Sequence, residues 1–238
     1  VLIDSVEFEN FKKNSETFNL IPVFKEIRAD LETPLSIYIK LTKNNYSFLL
    51  ESVTGGENLA RYSIIGTDPR KVIKTGKGQE YGEKDPLELI KEEMDSYTVP
   101  ENKEFPIFTG GAVGYLAYET ISYFEKTVLK NDISSLNVPE SIFMMTDSIV
   151  VFDHVKQTMF IVNYAKIEIE KDIEEIYKNS LEKINKIYTQ IKKPIPESFN
   201  NISNINIKPQ KNNDELITQY KKNMSKSEYK SAIEKCID

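Results

Sequence analysis

Two apolar runs, Phe143–Phe152 and Met159–Tyr164, are joined across Asp153-His154-Val155-Lys156-Gln157, with only Thr158 besides. A parallel pair of strands needs a crossover of about a dozen residues or more, so these runs can pair only as an antiparallel hairpin. The same punctuation recurs upstream. Tyr46–Val53 and Arg61–Ile65 flank a turn at Gly55-Gly56, and Lys71–Thr75 and Gln79–Tyr81 flank Gly76-Lys77-Gly78. Glycine-bearing turns between β-rich runs are hairpin signals. Strands joined by short turns, not by helices throughout, point away from a wholly parallel sheet. The expected class is α+β: a large antiparallel sheet or partial sandwich with outer helices.

Helices account for most of the rest. Ser5 to Lys12 predicts a short helix with Ser5 as N-cap and Glu7 and Glu9 in its first turn. Leu20–Ile27 reads as a strand, and Pro22, which lacks an N–H, assigns it to a sheet edge. Thr33 and Pro34 supply a cap and a first helical residue, and Leu35, Tyr38, Ile39 and Leu41 give that helix its expected apolar side. Asp85-Pro86 opens another, with Leu87, Leu89, Ile90 and Met94 spaced for one buried face. Ile169 to Ile191 carries a stripe of Ile169, Ile173, Tyr177, Leu181, Ile184, Tyr188 and Ile191, backed by Glu174–Lys178 and Glu182–Lys186 pairs. Such a helix could form a seam with a partner, but the expectation is that it lies on its own sheet. Residues 194–214 are rich in Asn, Pro and Lys without a period and read as a linker. Ser225 with Glu228 then forms a capping box at a helix start. The expected organisation is a region over 1–193, the linker over 194–214, and the start of a further domain over 215–238.

Composition limits what such a chain can do. The 238 residues carry a net charge of −6, which argues against a nucleic-acid surface. One cysteine, Cys236, permits no internal disulfide and suits a reducing, cytoplasmic setting. No run approaches the ~18 apolar residues of a membrane span, so no membrane association is expected. His154 is the only histidine, so a histidine/cysteine zinc site is excluded. A Ser-His-Asp triad would need that same residue, and its hairpin position predicts a solvated turn histidine instead. Gly110-Gly111-x-x-Gly114 lacks the spacing of a dinucleotide fingerprint. Glycines there read as a bulge or a close backbone approach, with Tyr115, Tyr118 and Glu119 as candidate pocket residues.

Glu51, Ser52 and Arg61 remain. They stand where one apolar strand ends and the next begins, on either side of the glycine turn. A carboxylate, a hydroxyl and a guanidinium at neighbouring strand ends can hold both charged ends of a free amino acid. The bland alternative is a polar turn with Arg61 paired to a nearby acid.

Five blocks decide between these readings. They are Ile21 to Pro34 (IPVFKEIRADLETP), Leu49-Leu50-Glu51-Ser52, Arg61-Tyr62-Ser63-Ile64-Ile65-Gly66, Gly110 to Glu119, and Thr146 to His154 (TDSIVVFDH). In this order, with the helix start at Met224-Ser225, they resemble the N-terminal half of the anthranilate synthase component I family. The large subunit of aminodeoxychorismate synthase shares the glycine block and is the alternative enzyme. A non-catalytic amino-acid-binding module is the alternative outside enzymes.

The resemblance implies a chemistry. The full-length family protein converts chorismate and ammonia to anthranilate and pyruvate with Mg2+, in tryptophan biosynthesis. A glutamine amidotransferase subunit supplies the ammonia, and L-tryptophan inhibits at a separate site. Glu51 and Ser52 match the family's tryptophan-contacting pair, and Arg61 a basic position of that pocket. The family's chorismate and magnesium residues lie beyond this sequence, so no catalytic or metal residue is assigned and no bound cofactor is expected. The 238 residues are expected to be inactive alone.

Overall fold

The computed structural model describes residues 5–42, 46–51, 61–101, 110–125, 127–128, 138–197 and 223–237. In chain order they form α1 (Ser5–Ser15), β1 (Leu20–Arg28), α2 (Pro34–Leu41), β2 (Ser47–Leu50), β3 (Tyr62–Thr67), β4 (Lys71–Thr75), α3 (Pro86–Asp95), β5 (Gly111–Leu116), a 3-10 turn at Tyr118–Thr120, α4 (Ile121–Phe124), β6 (Ser141–Thr146), β7 (Ser148–Asp153), β8 (Thr158–Lys166), α5 (Ile173–Ile191) and α6 (Lys226–Ile237). The chain divides into two compact units, Val1–Pro196 and Glu197–Asp238. The described strands all belong to the first, and α6 belongs to the second.

The strands make two antiparallel sheets, ordered β1-β8-β7-β3-β2 and β4-β6-β5. The fold is α+β, as its short turns require. The hairpin closes with Asp153 opposite Thr158, leaving His154–Gln157 as the turn. β1 is an edge strand, where Pro22 withdraws no ladder hydrogen bond from a central position.

Two strand expectations change. Phe143–Phe152 is not one strand: it breaks at Asp147 into β6 and β7, which lie in different sheets. The run is apolar on both faces, and the break lets it serve two sheets. Gln79–Tyr81 is not a strand but part of consecutive turns. The Gly76 N–H donates to the Gly82 carbonyl at 2.8 Å, and both residues sit at positive φ (118° and 60°). Chain that curls in this region cannot stay extended.

The larger sheet is covered on both faces. On one face Ile65, Val150, Phe152 and Ile161 pack with Ile37 and Leu41 of α2 and with Ile176, Tyr177, Ile184 and Ile191 of α5. On the other, Phe48, Ile149, Val151, Phe160 and Val162 meet Val113 and Met144 of the smaller sheet. Each fully buried side chain of this size contributes about 1.5–3 kcal/mol.

α5 lies on β8 and β1 of its own sheet, as its stripe predicts. It starts at Ile173, not Ile169, because the Asp172 carboxylate accepts the Glu174 N–H and caps it there. Ile169 is fully exposed. The Glu174–Lys178 ion pair forms on the outer face.

α2 has the expected cap, a reciprocal box in which Thr33 and Ser36 exchange backbone-to-hydroxyl bonds of 3.0 Å. Its buried side differs in part from expectation: Leu41 turns inward as expected, but Ile37 joins it and Leu35 is 55 % exposed. Lys40 sets this orientation by reaching the carbonyl of Ile191, the last residue of α5. α3 starts at its Asp85 cap but buries only Pro86, with Leu87 and Met94 more than 40 % exposed. Ion pairs from Arg70 and Lys71 to Glu93 anchor it where the sequence predicts an apolar face. Most of the expected linker falls outside the described residues. In α6 the Ser225–Glu228 box forms in both directions.

Candidate functional site

The sheet register brings the ends of β2, β3 and β7 together. Leu50 stands opposite Ile64, and Tyr62 opposite Asp153. Glu51 directly follows β2 and is exposed. Ser52 lies outside the described residues. Arg61 directly precedes β3.

Among the described residues no ion pair joins Glu51 to Arg61. Arg61 instead grips Asp153 in a fork, Nε to both carboxylate oxygens at 3.1 Å and Nη2 to Oδ2 at 2.7 Å. Asp153 is 1 % exposed, and its Oδ1 also accepts the Val155 and Lys156 N–H groups. Burial pushes this carboxyl up. The Arg61 bonds and the two backbone donors outweigh it and hold the group below its ordinary value. The Asp153 bond in turn holds Arg61 above its own. The fork leaves the Arg61 Nη1 donors uncommitted among the described residues.

His154 departs from the expected solvated turn residue. It is half-buried, its Nε2 lies 2.7 Å from Ser63 Oγ, and its ring lies 4.8 Å from that of Phe152. Asp153 does not complete a triad, since its oxygens are engaged by Arg61 and the turn. The pair therefore pins the turn to β3. Position alone cannot reveal it, because Ser63 and His154 meet only through the β3–β7 register.

A second polar cluster sits where the chain passes between sheets. Arg70 lies between β3 and β4, and Asp147 between β6 and β7. Arg70 Nε is 2.8 Å from Asp147 Oδ1, and Arg70 Nη1 donates to Glu93 Oε1 at 2.6 Å. Lys71 donates to the other Glu93 oxygen at 2.7 Å. The Lys71 hydrogen bond, opposed by burial and aided by Arg70, lowers the Glu93 carboxyl to about 2. Arg70 and Asp147 respond in unlike ways to their contact. Burial opposes the charge of Arg70, yet its bond to Glu93 and the nearby acids hold it above its ordinary value. At Asp147 burial outweighs the attraction of Arg70, so its carboxyl is raised. The Tyr97 ring lies 4.9 Å from the guanidinium.

Beside this cluster is a cavity of about 210 Å³, walled by Arg70, Asp147, Tyr97, Met145, Tyr164 and the Gly110-Gly111 backbone. A Cβ on Gly110 would lie 2.9 Å from the Tyr164 ring. The glycine block thus reaches a pocket, but its expected side chains do not. The Tyr115 hydroxyl donates to the Pro139 carbonyl, and Tyr118 is 90 % exposed. Arg70, Glu93 and Asp147 carry no sequence signal, because no regular spacing links them. Among the described residues no group of three or more His, Cys, Asp or Glu could hold a metal ion, so no step through magnesium is derived. No described helix is long and apolar enough to cross a membrane.

Comparisons with known proteins add what geometry leaves open. The model of the chorismate binding enzyme family matches residues 45–238. A probable anthranilate synthase component 1 from Schizosaccharomyces pombe is 40 % identical over 177 residues, covering 74 % of this chain and 35 % of that protein. The anthranilate synthase component 1 of Acetivibrio thermocellus is 35 % identical over 195 residues, covering 77 % of this chain and 38 % of that protein. A crystal structure of anthranilate synthase component I from Streptococcus pneumoniae aligns with 71 % of this chain and 37 % of its own, at 27 % identity and a TM-score of 0.46. The chain spans little more than a third of the length of the two curated relatives.

Proposed function

This chain belongs to the chorismate-binding enzyme family, and on that premise we propose that it is the N-terminal part of an anthranilate synthase component I that carries much of a tryptophan feedback site. The observation that carries this reading is the 40 % identity to a probable anthranilate synthase component 1 over three quarters of the chain. The whole enzyme would convert chorismate and ammonia to anthranilate and pyruvate in the cytoplasm. A glutamine amidotransferase subunit would deliver the ammonia, and magnesium would assist as a cofactor of the whole enzyme. These 238 residues alone would make no anthranilate.

In the feedback site, Glu51 takes the α-ammonium of L-tryptophan, Ser52 hydrogen-bonds beside it, and Arg61 offers its uncommitted Nη1 donors to the carboxylate. Charge-assisted bonds of this kind contribute about 1.5–3 kcal/mol each. The Arg61–Asp153 fork supports the role by fixing the guanidinium at the strand end. Inhibition follows from linkage: tryptophan and chorismate favour different arrangements of the whole enzyme, so each weakens the other's binding.

Calorimetric titration of L-tryptophan into the 238-residue chain, with L-phenylalanine as control, tests the site. Saturable binding of tryptophan alone is expected. In the whole enzyme, Ser52→Phe should relieve inhibition while catalysis survives. A variant that kept its tryptophan sensitivity would refute the assignment.

A further inference from the structure

The cavity at the junction of the two sheets has the chemistry of a zwitterion site, and it lies apart from Glu51 and Arg61. Its polar wall holds both charges in contact, Arg70 and Asp147. Glu93 takes Arg70 Nη1 and Asp147 faces Nε, so among the described residues Arg70 Nη2 donates no hydrogen bond. The Asp147 carboxylate likewise accepts none there beyond its ion-pair contact. One unused donor and one unused acceptor thus stand side by side, the complement of a carboxylate next to an ammonium. Beside the Tyr97 and Tyr164 rings, the remaining wall carries the aliphatic side chains of Leu20, Met94, Val99 and Met145. The volume of about 210 Å³ falls below the roughly 300–1,000 Å³ of pockets for drug-sized ligands. The two methionine side chains can adapt to the shape of an aliphatic ligand.

We propose that this cavity binds a free amino acid with an aliphatic side chain, its carboxylate on Arg70, its ammonium on Asp147 and its side chain among Leu20, Met94, Val99 and Met145. The site is separate from the tryptophan site and does not depend on it. Neither end of the ligand suffices alone. A carboxylate without an ammonium leaves Asp147 facing a second anion, and an amine without a carboxylate leaves Arg70 Nη2 unpaired.

The test is titration of L-leucine and L-methionine into the 238-residue chain, followed by calorimetry or by ligand-observed NMR. The controls are 4-methylpentanoate, which lacks the ammonium, and 3-methylbutylamine, which lacks the carboxylate. Saturable binding of at least one amino acid is expected, at least tenfold tighter than either control. Asp147→Asn should weaken it at least tenfold. Val99→Trp, placed at the exposed rim where folding tolerates it, should abolish it by filling the cavity. The proposal is overturned if neither amino acid saturates, if 4-methylpentanoate binds as well, or if binding survives Val99→Trp. Binding lost in Ser52→Phe but kept in Val99→Trp would place the ligand at the strand-end site, overturning this proposal and leaving the tryptophan reading intact.

Discussion

A Cβ built on Gly114 would overlap the carbonyl oxygen of Ile142 and come within 2.7 Å of the Phe143 Cα. Both are backbone atoms of the paired strand β6, so neither can turn aside as a side chain would. Overpacking a core costs about 1–3 kcal/mol where side chains can adjust. Gly114→Ala should therefore lose at least about 3 kcal/mol in urea denaturation, with the β5–β6 pairing giving way first. The glycine block announces a close backbone approach in the sequence, but its partner is invisible there, because register is set by tertiary pairing. The same division holds at the candidate site. The positions of Glu51 and Arg61 at strand ends were legible from the turn between the runs. Asp153 as the partner of Arg61, and Ser63 as the partner of His154, were not, since each pair is about 90 residues apart in sequence.

At the level of elements, α2 and α5 show when periodicity decides and when it does not. The α5 stripe faces one way only, and the helix lies where the stripe predicts. Pro34-Leu35-Ser36-Ile37-Tyr38-Ile39-Lys40-Leu41 is apolar nearly all round, so its pattern leaves the inward face open. A charged residue settles it. Lys40 is buried, bonded to Glu32 Oε1 at 2.5 Å and to the Ile191 carbonyl at 3.0 Å. That carbonyl lies at the negative end of α5, where a cation is favoured. Lys40→Met keeps the apolar stem but leaves both acceptors short of a donor. A loss of about 1–3 kcal/mol in urea denaturation is expected. α3 is the converse case: its apolar residues promised a buried face, and ion pairs from the β4 side took over the anchoring.

For the whole molecule, these ion pairs set the response to acid. Glu93 titrates at about 2 in the folded chain, against roughly 4.3 for an unperturbed glutamate. A depressed carboxyl contributes stability that is fully present above the unfolded value and lost as pH falls through the folded one. Asp153, also depressed, acts in the same sense. Asp147, raised by burial, acts in the opposite sense, and its contribution fades as pH rises. Stability measured by urea denaturation should therefore fall between about pH 5 and pH 2. Glu93→Gln should flatten that fall and lower stability at pH 7. An unchanged acid slope in Glu93→Gln would show that Glu93 does not carry it.

One consequence of the break at Asp147 concerns how the two sheets can move. β6 and β7 are joined by that single residue, which spans at most about 3.6 Å, and β3 and β4 by the short stretch Asp68–Arg70. The Arg70–Asp147 ion pair ties these two joints to each other. The sheets are thus bound along one spine, like the boards of a book. Sliding one sheet past the other would have to stretch both joints and part this ion pair at once, so translation is the displacement that this spine most resists.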